Sequence, residues 1–296
     1  MTKENNVGSP QHKPRLLNKK QVRNLRENIL LWVLRIAFGI VFAFPLYWAV
    51  ITSFRSVQEI VSPEISLGIK EFTTMHYKNV LMMKTPYGAN SIFVALINTL
   101  IITIVGGLIN IVVSSLAGYA FAKLKFKGHK TVFRVMIMSM MIPGIITIVP
   151  TFLIISWLGL WGNLAGVIVP GALSVFNIFF MRQFFIGIPD ELGESAEIDG
   201  ASEMLIFRKI YLPQVKPALA AIAIFNFQGG WNNFLLPYVI LPDRQLVLAT
   251  FIRTIPAANF GESMAASMLV TLPVFILFVI FQKYFMTSVT FSGVEK

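Results

Sequence analysis

The residue types that most often carry out chemistry are scarce in this sequence. It contains 0 Cys, which excludes a disulfide framework, a zinc–thiolate site and a cysteine nucleophile. Its 3 His residues, His12, His76 and His129, are far apart, so we expect neither a metal centre nor a catalytic site built from histidine. The segment Gly128-His-Lys-Thr131 is not a phosphate-binding loop, because His separates Gly from Lys and the upstream Gly is missing. We therefore expect no catalytic residues, no bound metal or cofactor, and no ATP hydrolysis by this chain.

The most informative charged segment is residues 187–213, which carries several carboxylates close together. Pro189 suits the first position of a helix, because its fixed φ matches the helix and its missing N–H would have no partner there. Asp190, Glu191 and Glu194 then fall in the first turns, where the positive end of the helix dipole favours acidic side chains. The pattern predicts a short helix with an acidic start.

A second short helix is predicted after a glycine turn. Gly200 can adopt a positive φ and end the first helix, and the pattern from Ser202 to Tyr211 predicts a helix that Pro213 ends. Small residues such as Ala196 lie between the acids. The pair is too short to form a domain and too acidic to lie on lipid. We therefore predict that residues 187–213 form an elbow that docks into a groove on a soluble partner.

The elbow must be held by the rest of the chain, whose composition is that of a membrane protein. Of the 296 residues, 55% are hydrophobic and 13% are charged, and the mean hydropathy is +0.70. Soluble domains have about 45–50% apolar residues and about 25% charged residues. A water-facing globule and a disordered chain are both excluded, so an integral membrane protein remains.

Six apolar stretches are long enough to cross a bilayer core of about 30 Å, which requires about 20 helical residues. Prolines inside these stretches indicate a packed bundle, in which neighbouring helices satisfy the carbonyls that proline leaves free. The predicted fold class is all-α, a polytopic membrane protein with six transmembrane helices. The stretches are about 34–52, 92–121, 132–155, 164–185, 217–241 and 263–285.

Basic residues are unevenly distributed among the predicted loops, and the net charge is +11. Residues 1–28 carry seven Lys or Arg, and residues 123–134 carry five with no acid, whereas the loop 157–163 has no charge and 242–261 has two basic residues. The positive-inside rule therefore predicts that both termini and the elbow are cytoplasmic, and that these two weakly charged loops and 53–91 face outward. The basic excess then marks contact with anionic headgroups rather than with nucleic acid.

Polar side chains recur at helical spacing on the second and fifth apolar stretches. Such stripes face the bundle interior, where they serve either helix packing or a solute pathway, and the residues alone leave both interpretations open. No Asp or Glu lies inside a stretch away from its ends, which argues against a proton-coupled carrier. The candidate pathway residues are Asn110, Ser114, Asn226, Trp231, Asn232 and Asn233.

The spacing of the elbow is similar to that of the EAA loop in ABC importer permeases. Glu194-Ser-Ala196 is followed after three residues by Gly200, and after nine more by the sequence Ile-x-Leu-Pro. The one departure is Ser195, where the family usually has Ala, and both residues are small. The resemblance implies that the residues coupling the chain to an ATPase subunit are Glu194, Ser195, Ala196, Gly200, Ile210, Leu212 and Pro213.

Further segments resemble the carbohydrate-uptake subfamily, and in particular the maltose-type G permease subunit. They are residues 118–128, 141–144 and 231–237, with a weaker resemblance in the tail at 291–296. The resemblance implies the type I ABC importer permease fold. Its parts would be a cytoplasmic basic segment at 1–28, a first transmembrane helix and external loop at 29–91, a five-helix core at 92–286 that contains the coupling loop at 186–214, and a cytoplasmic tail at 287–296.

The same resemblance implies a subunit that moves a sugar or oligosaccharide across the plasma (inner) membrane of a prokaryote by alternating access. The implied partners are a second permease subunit in a heterodimer, two ABC ATPase subunits that bind ATP and Mg, an extracytoplasmic sugar-binding protein, and membrane lipid. In the maltose-type system the partner permease holds the sugar, so direct contact between this chain and the sugar stays open. A permease for a peptide or phosphate, or a secondary carrier, is the alternative, and the particular carbohydrate is not revealed.

Overall fold

A computed structural model describes residues 19–64, 66–84, 91–243 and 245–290, with side chains from 28 to 280 apart from Ser91. The predictions for the first 18 residues and for the tail at 291–296 lie outside this part. The chain divides into two compact units, residues 1–49 and 50–296. Within the described ranges all regular structure is helical, apart from one isolated bridge between Arg55 and Phe72, so the predicted all-α class is confirmed.

The helices vary widely in length, and several are separated by only a few residues. In the first half of the chain they are α1 Lys19–Ser53, α2 Val57–Val61, α3 Met75–Met82, α4 Ser91–Lys123, α5 His129–Ser139 and α6 Ile148–Trp157. In the second half they are α7 Ala165–Gly171, α8 Val175–Ile186, α9 Glu191–Ile198, α10 Glu203–Ile206, a π-helical segment Phe207–Tyr211, α11 Leu212–Gln214, α12 Lys216–Trp231, α13 Leu235–Ile240, α14 Leu248–Phe251, a 3₁₀ turn Ile252–Thr254 and α15 Phe260–Thr290.

Four helical spans among the described residues are long and apolar enough to cross a membrane. They lie at the first, second, fourth and sixth predicted positions, as Asn28–Ser53, Ile92–Lys123, Ala165–Ile186 and Phe260–Ile280. A fifth candidate combines Glu203–Gln214 with Lys216–Trp231, which meet at a bend of 81°. The multi-pass character is thus confirmed, whereas the predicted count of six spans is not confirmed by these helices.

The third predicted span is not a continuous helix. Helix α5 ends at Ser139 and α6 begins at Ile148, and residues between them form successive turns with i to i−3 hydrogen bonds, such as that from the Ile146 N–H to the Pro143 carbonyl at 3.0 Å. Pro143 causes the break, because it has no N–H to continue the ladder and it disfavours helical geometry at Ile142. A single helix over 132–155 is therefore wrong.

The fifth predicted span is also interrupted. Helix α12 ends at Trp231, and the short helix α13 begins only at Leu235. Pro237 explains this gap, since its ring would collide with the Asn233 carbonyl four residues earlier if the helix were continuous. In the observed arrangement Pro237 lies in the first turn of α13, where a missing N–H leaves no bond unmade.

Helix α4 is central to the second unit and packs most extensively against α8 and α12. Small residues allow the close approach. A methyl group on Gly118 would lie 2.7 Å from the Cβ of Met181, and one on Gly230 would lie 2.9 Å from the hydroxyl oxygen of Thr103. Membrane helices associate through such small-residue contacts because lipid supplies no hydrophobic drive between them. Both α8 and α12 also reach the predicted polar stripe of α4, where Asn177 and Asn226 bond to Asn110.

Candidate functional site

The first arm of the elbow is helix α9, as the sequence predicted. The helix ends at Ile198, and Gly200 has a φ of 80°, which lets the Ala201 N–H return to the Ala196 carbonyl at 2.9 Å. This six-to-one hydrogen bond is the usual C-terminal cap that a left-handed glycine permits. The predicted role of Gly200 in ending the helix is therefore confirmed.

The second arm differs from the prediction, because Pro213 does not end the helix after Tyr211. The chain passes through a π-helical segment, Phe207–Tyr211, and stays helical to Gln214. The Leu212 N–H bonds to the carbonyl of Phe207, five residues earlier. This wider turn relieves the collision that the Pro213 ring would have with the carbonyl four residues before it. A bend of 81° then separates Gln214 from the start of α12 at Lys216.

The two arms of the elbow are in close contact at one glycine. A methyl group on Gly193 would lie 2.5 Å from the hydroxyl oxygen of Tyr211 and 3.1–3.2 Å from two of its ring carbons. Tyr211 is only 3% exposed, so it has little room to withdraw. Sequence reasoning missed Gly193, although a glycine inside a predicted helix costs about 1 kcal/mol relative to alanine and so indicates a packing requirement.

The elbow rests on the end of α4 through aromatic and charged contacts. The ring of Tyr119 lies 5.3 Å from that of Tyr211 and 5.0 Å from that of Phe207, and its hydroxyl donates to the Glu203 carboxylate. Aromatic pairs at these distances contribute about 0.5–1.5 kcal/mol each beyond the burial of their area. The same end of α4 carries Lys123, whose ammonium group bonds to the Ile188 carbonyl at 2.5 Å. Both arms of the elbow are thus attached to one transmembrane helix.

Lys123 also fixes the start of α9. Its ammonium group lies 2.5 Å from a carboxylate oxygen of Asp190, and this hydrogen bond and the positive charge hold the pKa of the Asp190 carboxyl below its usual range. Asp190 is therefore ionised at neutral pH. Since the Asp190 side chain is 71% exposed, the pair is expected to contribute at most about 1 kcal/mol.

The outer surface of the elbow faces solvent. Glu194, Ser195 and Gly200 are exposed, and Ile198 is 87% exposed. In the described part of the chain Glu194 has no ion-pair partner, whereas the Ser195 hydroxyl donates to the Glu191 carbonyl at 2.8 Å. Three other motif residues lie on the inward side, where Ala196, Ile210 and Leu212 pack against the buried cluster around Tyr211. Pro213 follows Leu212 and is exposed. The motif thus combines an inner anchoring side with an outer charged side.

A group of asparagines links three helices inside the bundle. The Asn177 amide on α8 donates to the side-chain oxygen of Asn110 on α4 at 2.7 Å and to that of Asn226 on α12 at 2.9 Å. Asn226 in turn donates to Asn110 at 3.1 Å. Asn110 also donates to the carbonyls of Gly171 and Ala172, both at 3.2 Å. Asn110 is therefore fully engaged in helix packing. Sequence reasoning missed Asn177, whose signal was an amide in the middle of an apolar stretch.

A narrow groove lies beside this asparagine group, between α4, α7 and α12. Its volume is about 60 Å³, and Thr103, Asn226, Gly230 and Asn233 contribute to its wall. A water molecule takes about 30 Å³ of liquid, so this groove has no room for a sugar. Among the described residues, the Thr103 hydroxyl is one of three buried side-chain polar atoms without a hydrogen-bond partner.

The candidate pathway residues separate into three environments. Asn226 and Asn233 line the groove, and Asn232 is exposed outside it. Ser114 is completely buried and donates to Asn110 at 3.3 Å. Trp231 is 2% exposed and donates to the Val270 carbonyl at 3.1 Å, so its ring packs within the core rather than against the groove. In the described part of the chain no group of three or more His, Asp or Glu is placed to hold a metal ion.

Long apolar helices, small-residue helix contacts and a buried amide network define a multi-pass integral membrane protein. Residues 110–290 match the family described as binding-protein-dependent transport system inner membrane component. The chain belongs to this family, and the resemblance to ABC importer permeases drawn from the elbow is confirmed.

Named relatives agree with the family assignment. The arabinooligosaccharides transport system permease protein AraQ of Halalkalibacterium halodurans is 35% identical over 275 residues, which cover 90% of this chain and 97% of that protein. The diacetylchitobiose uptake system permease protein NgcG of Streptomyces coelicolor is 29% identical over 266 residues, covering 87% and 85%. A chain of a bacterial ABC transporter that imports the acidic polysaccharide alginate has the same fold, with a TM-score of 0.78, 22% identity, and coverage of 92% of this chain and 100% of that chain.

Proposed function

We propose that this chain is a permease subunit of a binding-protein-dependent ABC importer, and that its cargo is a sugar or oligosaccharide. The observation that carries the proposal is the elbow, which exposes Glu194 outward and anchors Tyr211 and Glu203 to the end of α4. Such a unit can receive force from another protein and pass it to a transmembrane helix. The carbohydrate assignment is supported by the relatives, whose names specify arabinooligosaccharides and diacetylchitobiose.

The mechanism is alternating access driven by movement of the elbow. The contact between Tyr211 and Tyr119 transmits the movement to α4. The chain connection through the 81° bend after Gln214 transmits it to α12. These two helices line the groove together with α7, and Asn226 and Asn233 form part of its wall. Packed helices switch between discrete arrangements rather than deform continuously, so a shift of the elbow opens or closes this groove. The narrow groove of about 60 Å³ corresponds to one of these arrangements.

The chain works with partners that supply energy and substrate. Two ABC ATPase subunits bind and hydrolyse ATP with Mg, a second permease completes the pathway, and an extracytoplasmic binding protein delivers the sugar. This chain itself is not an enzyme and binds no cofactor. Both termini and the elbow are cytoplasmic, which is supported by the four lysines between 123 and 130 at the elbow end of α4. The membrane is then the plasma (inner) membrane of a prokaryote.

Coupling is tested by substitutions on the outer surface of the elbow. Glu194→Gln removes the exposed charge, and Gly200→Val places a β-branched residue at a φ of 80°, which such residues adopt only with strain. We expect both variants to assemble in the membrane with the partner subunits and to lose most ATP-driven uptake by reconstituted vesicles.

Glu197→Gln is the matched control, because Glu197 is another exposed acid on α9 outside the motif. It should retain uptake close to that of the unmodified protein. The proposal is contradicted if Glu194→Gln and Gly200→Val transport normally, or if Glu197→Gln is impaired to the same extent.

A further inference from the structure

A second cavity lies at the elbow end of the bundle, away from the groove. Its volume is about 560 Å³, within the range of about 300–1,000 Å³ that is typical of small-molecule sites. It opens between the end of α4, the loop that follows, the start of α5 and the end of α8. The helical spans Ile92–Lys123 and Ala165–Ile186 both end beside it. The cavity therefore lies at the depth where lipid headgroups meet the protein.

The charge of this cavity is strongly positive. Five basic side chains line it against one acid, Asp190, which gives a formal balance of five minus one, or +4. Asp190 is already paired with Lys123. The basic residues are Lys123, Lys125, Lys130, Arg134 and Arg182.

Two of these basic side chains, those of Lys130 and Arg134, lack acidic partners in the part of the chain that the structure describes. Within the described ranges no carboxylate lies within 4.0 Å of Lys130 or Arg134. Arg182 is also held without an acid, since its Nε donates to the Phe121 carbonyl at 3.1 Å and its guanidinium lies 4.2 Å from the centre of the Phe133 ring. Clustered like charges repel each other, and an anion that binds among them relieves this repulsion.

The inner wall of the cavity is apolar. Phe121 and Phe133 lie with their ring centres 5.4 Å apart, and Ile137 continues the wall along α5 toward the membrane interior. An inorganic anion would bind to the cations but would make no favourable contact with this apolar wall. A phospholipid would interact with both, because its phosphate would bind to the basic side chains while its glycerol and acyl chains would pack against the apolar wall.

We propose that this cavity binds the phosphate headgroup of an anionic phospholipid such as phosphatidylglycerol or cardiolipin. Basic pockets between transmembrane helices on the cytoplasmic side are suited to such headgroups. Lys130 and Arg134 bind the phosphate from α5, and Arg182 binds it from α8. Lys123 lies on the same wall and pairs with Asp190, so the bound lipid adjoins the start of the elbow.

The test uses the complete transporter, purified with its partner subunits in detergent and stripped of lipid. Native mass spectrometry then measures the binding of added phosphatidylglycerol, cardiolipin and zwitterionic phosphatidylcholine. Lys130→Gln removes one cation from the cavity, while Lys127→Gln removes an exposed lysine of the same loop outside it. We expect the anionic lipids to bind more tightly than phosphatidylcholine, and Lys130→Gln to weaken them about fivefold. Lys127→Gln should leave their binding unchanged.

Four results would overturn the proposal. Equal loss in Lys130→Gln and Lys127→Gln would indicate diffuse surface attraction, and equal binding of phosphatidylcholine would show that headgroup charge is not recognised. Displacement of the lipid by millimolar inorganic phosphate would identify a site for a free anion. Binding that occurs only after the ATPase subunits are removed would mean that a protein covers the cavity. Arg134→Gln repeats the test on a second cation, and the thermal stability of both variants confirms that they are folded.

Discussion

The contact between Gly193 and Tyr211 gives the sharpest test of how the elbow is held. Replacing Gly193 with Ala would place a methyl group 2.5 Å from the Tyr211 hydroxyl oxygen, and real Cβ contacts essentially never fall under 3.0 Å. The two arms must therefore separate by roughly 0.5 Å or more. Tyr211 itself cannot move freely, because it belongs to a buried cluster in which its ring lies 5.3 Å from that of Tyr119.

The magnitude follows from the cost of overpacking a filled core, which is about 1–3 kcal/mol. Against a penalty of about 2 kcal/mol, in the middle of this range, the gain in helix propensity on replacing Gly by Ala recovers about 1 kcal/mol, so the net loss of stability is about 1 kcal/mol. If the elbow shifts away from the end of α4, the population of the coupled state falls exponentially with the free-energy cost. A cost of about 1.4 kcal/mol corresponds to a tenfold fall. We therefore expect Gly193→Ala to lower sugar uptake per ATP hydrolysed several-fold, with little loss of assembled transporter.

The assay compares uptake and ATP hydrolysis in the same reconstituted vesicles. Tyr211→Phe removes the oxygen that makes the shortest contact, so Gly193→Ala combined with Tyr211→Phe should recover part of the lost coupling. Gly187→Ala is the matched control, because Gly187 has a φ of −66° and the new methyl group would lie 3.4 Å from the Phe184 carbonyl oxygen, an ordinary contact. This control should behave as the unmodified protein does.

The reasoning about the elbow is refuted by either of two results. Gly193→Ala with unchanged coupling would show that the arms move apart without consequence. A loss that Tyr211→Phe does not relieve, or that Gly187→Ala shares, would show that the contact with the Tyr211 hydroxyl is not its cause.

Three other predictions concern the bundle and the start of the elbow. Asn177→Ala removes two hydrogen bonds to Asn110 and Asn226 and should lower stability by about 1–3 kcal/mol, measured by thermal unfolding of the purified transporter. Asn233→Ala, at the groove, should lower uptake more than it lowers the amount of protein in the membrane. Asp190→Asn should lower stability by at most about 1 kcal/mol. Because Lys123 holds the pKa of Asp190 below 3.8, this stabilisation is present at neutral pH, and the difference should vanish only as the pH falls below that value.

Each of these predictions has a neighbouring control. Gln183→Ala removes an exposed amide from α8 and should not change the melting temperature, whereas Asn232→Ala removes an exposed amide outside the groove and should not change uptake. Glu191→Gln removes an adjacent exposed acid without breaking the pair with Lys123. Equal effects of a variant and its control, or a difference for Asp190→Asn that already disappears near neutral pH, would contradict the corresponding prediction.

Local sequence was a reliable guide where one strong signal acts alone. The long apolar helices at 28–53, 92–123 and 260–280 follow from length and composition, and the turn at Gly200 follows from the freedom of glycine at positive φ. It was a poor guide at prolines. Pro143 interrupts a span, Pro237 moves a helix start, and Pro213 lies in a helix that continues through a π-helical segment. The outcome differs because it depends on which neighbouring groups can donate a hydrogen bond to the freed carbonyl.

By itself the sequence determined that the chain is an all-helical membrane protein with an acidic elbow, since apolar length, charge distribution and motif spacing are local properties. Only the tertiary structure decided what the polar residues do. Asn110 and Trp231 have the same residue types as pathway groups, yet both are buried in packing, while Asn233 lines the groove. The partners of an amide or a glycine come from other helices, such as Asn177 for Asn110 and Tyr211 for Gly193. Spacing along one helix does not specify those partners, because they depend on how the helices pack.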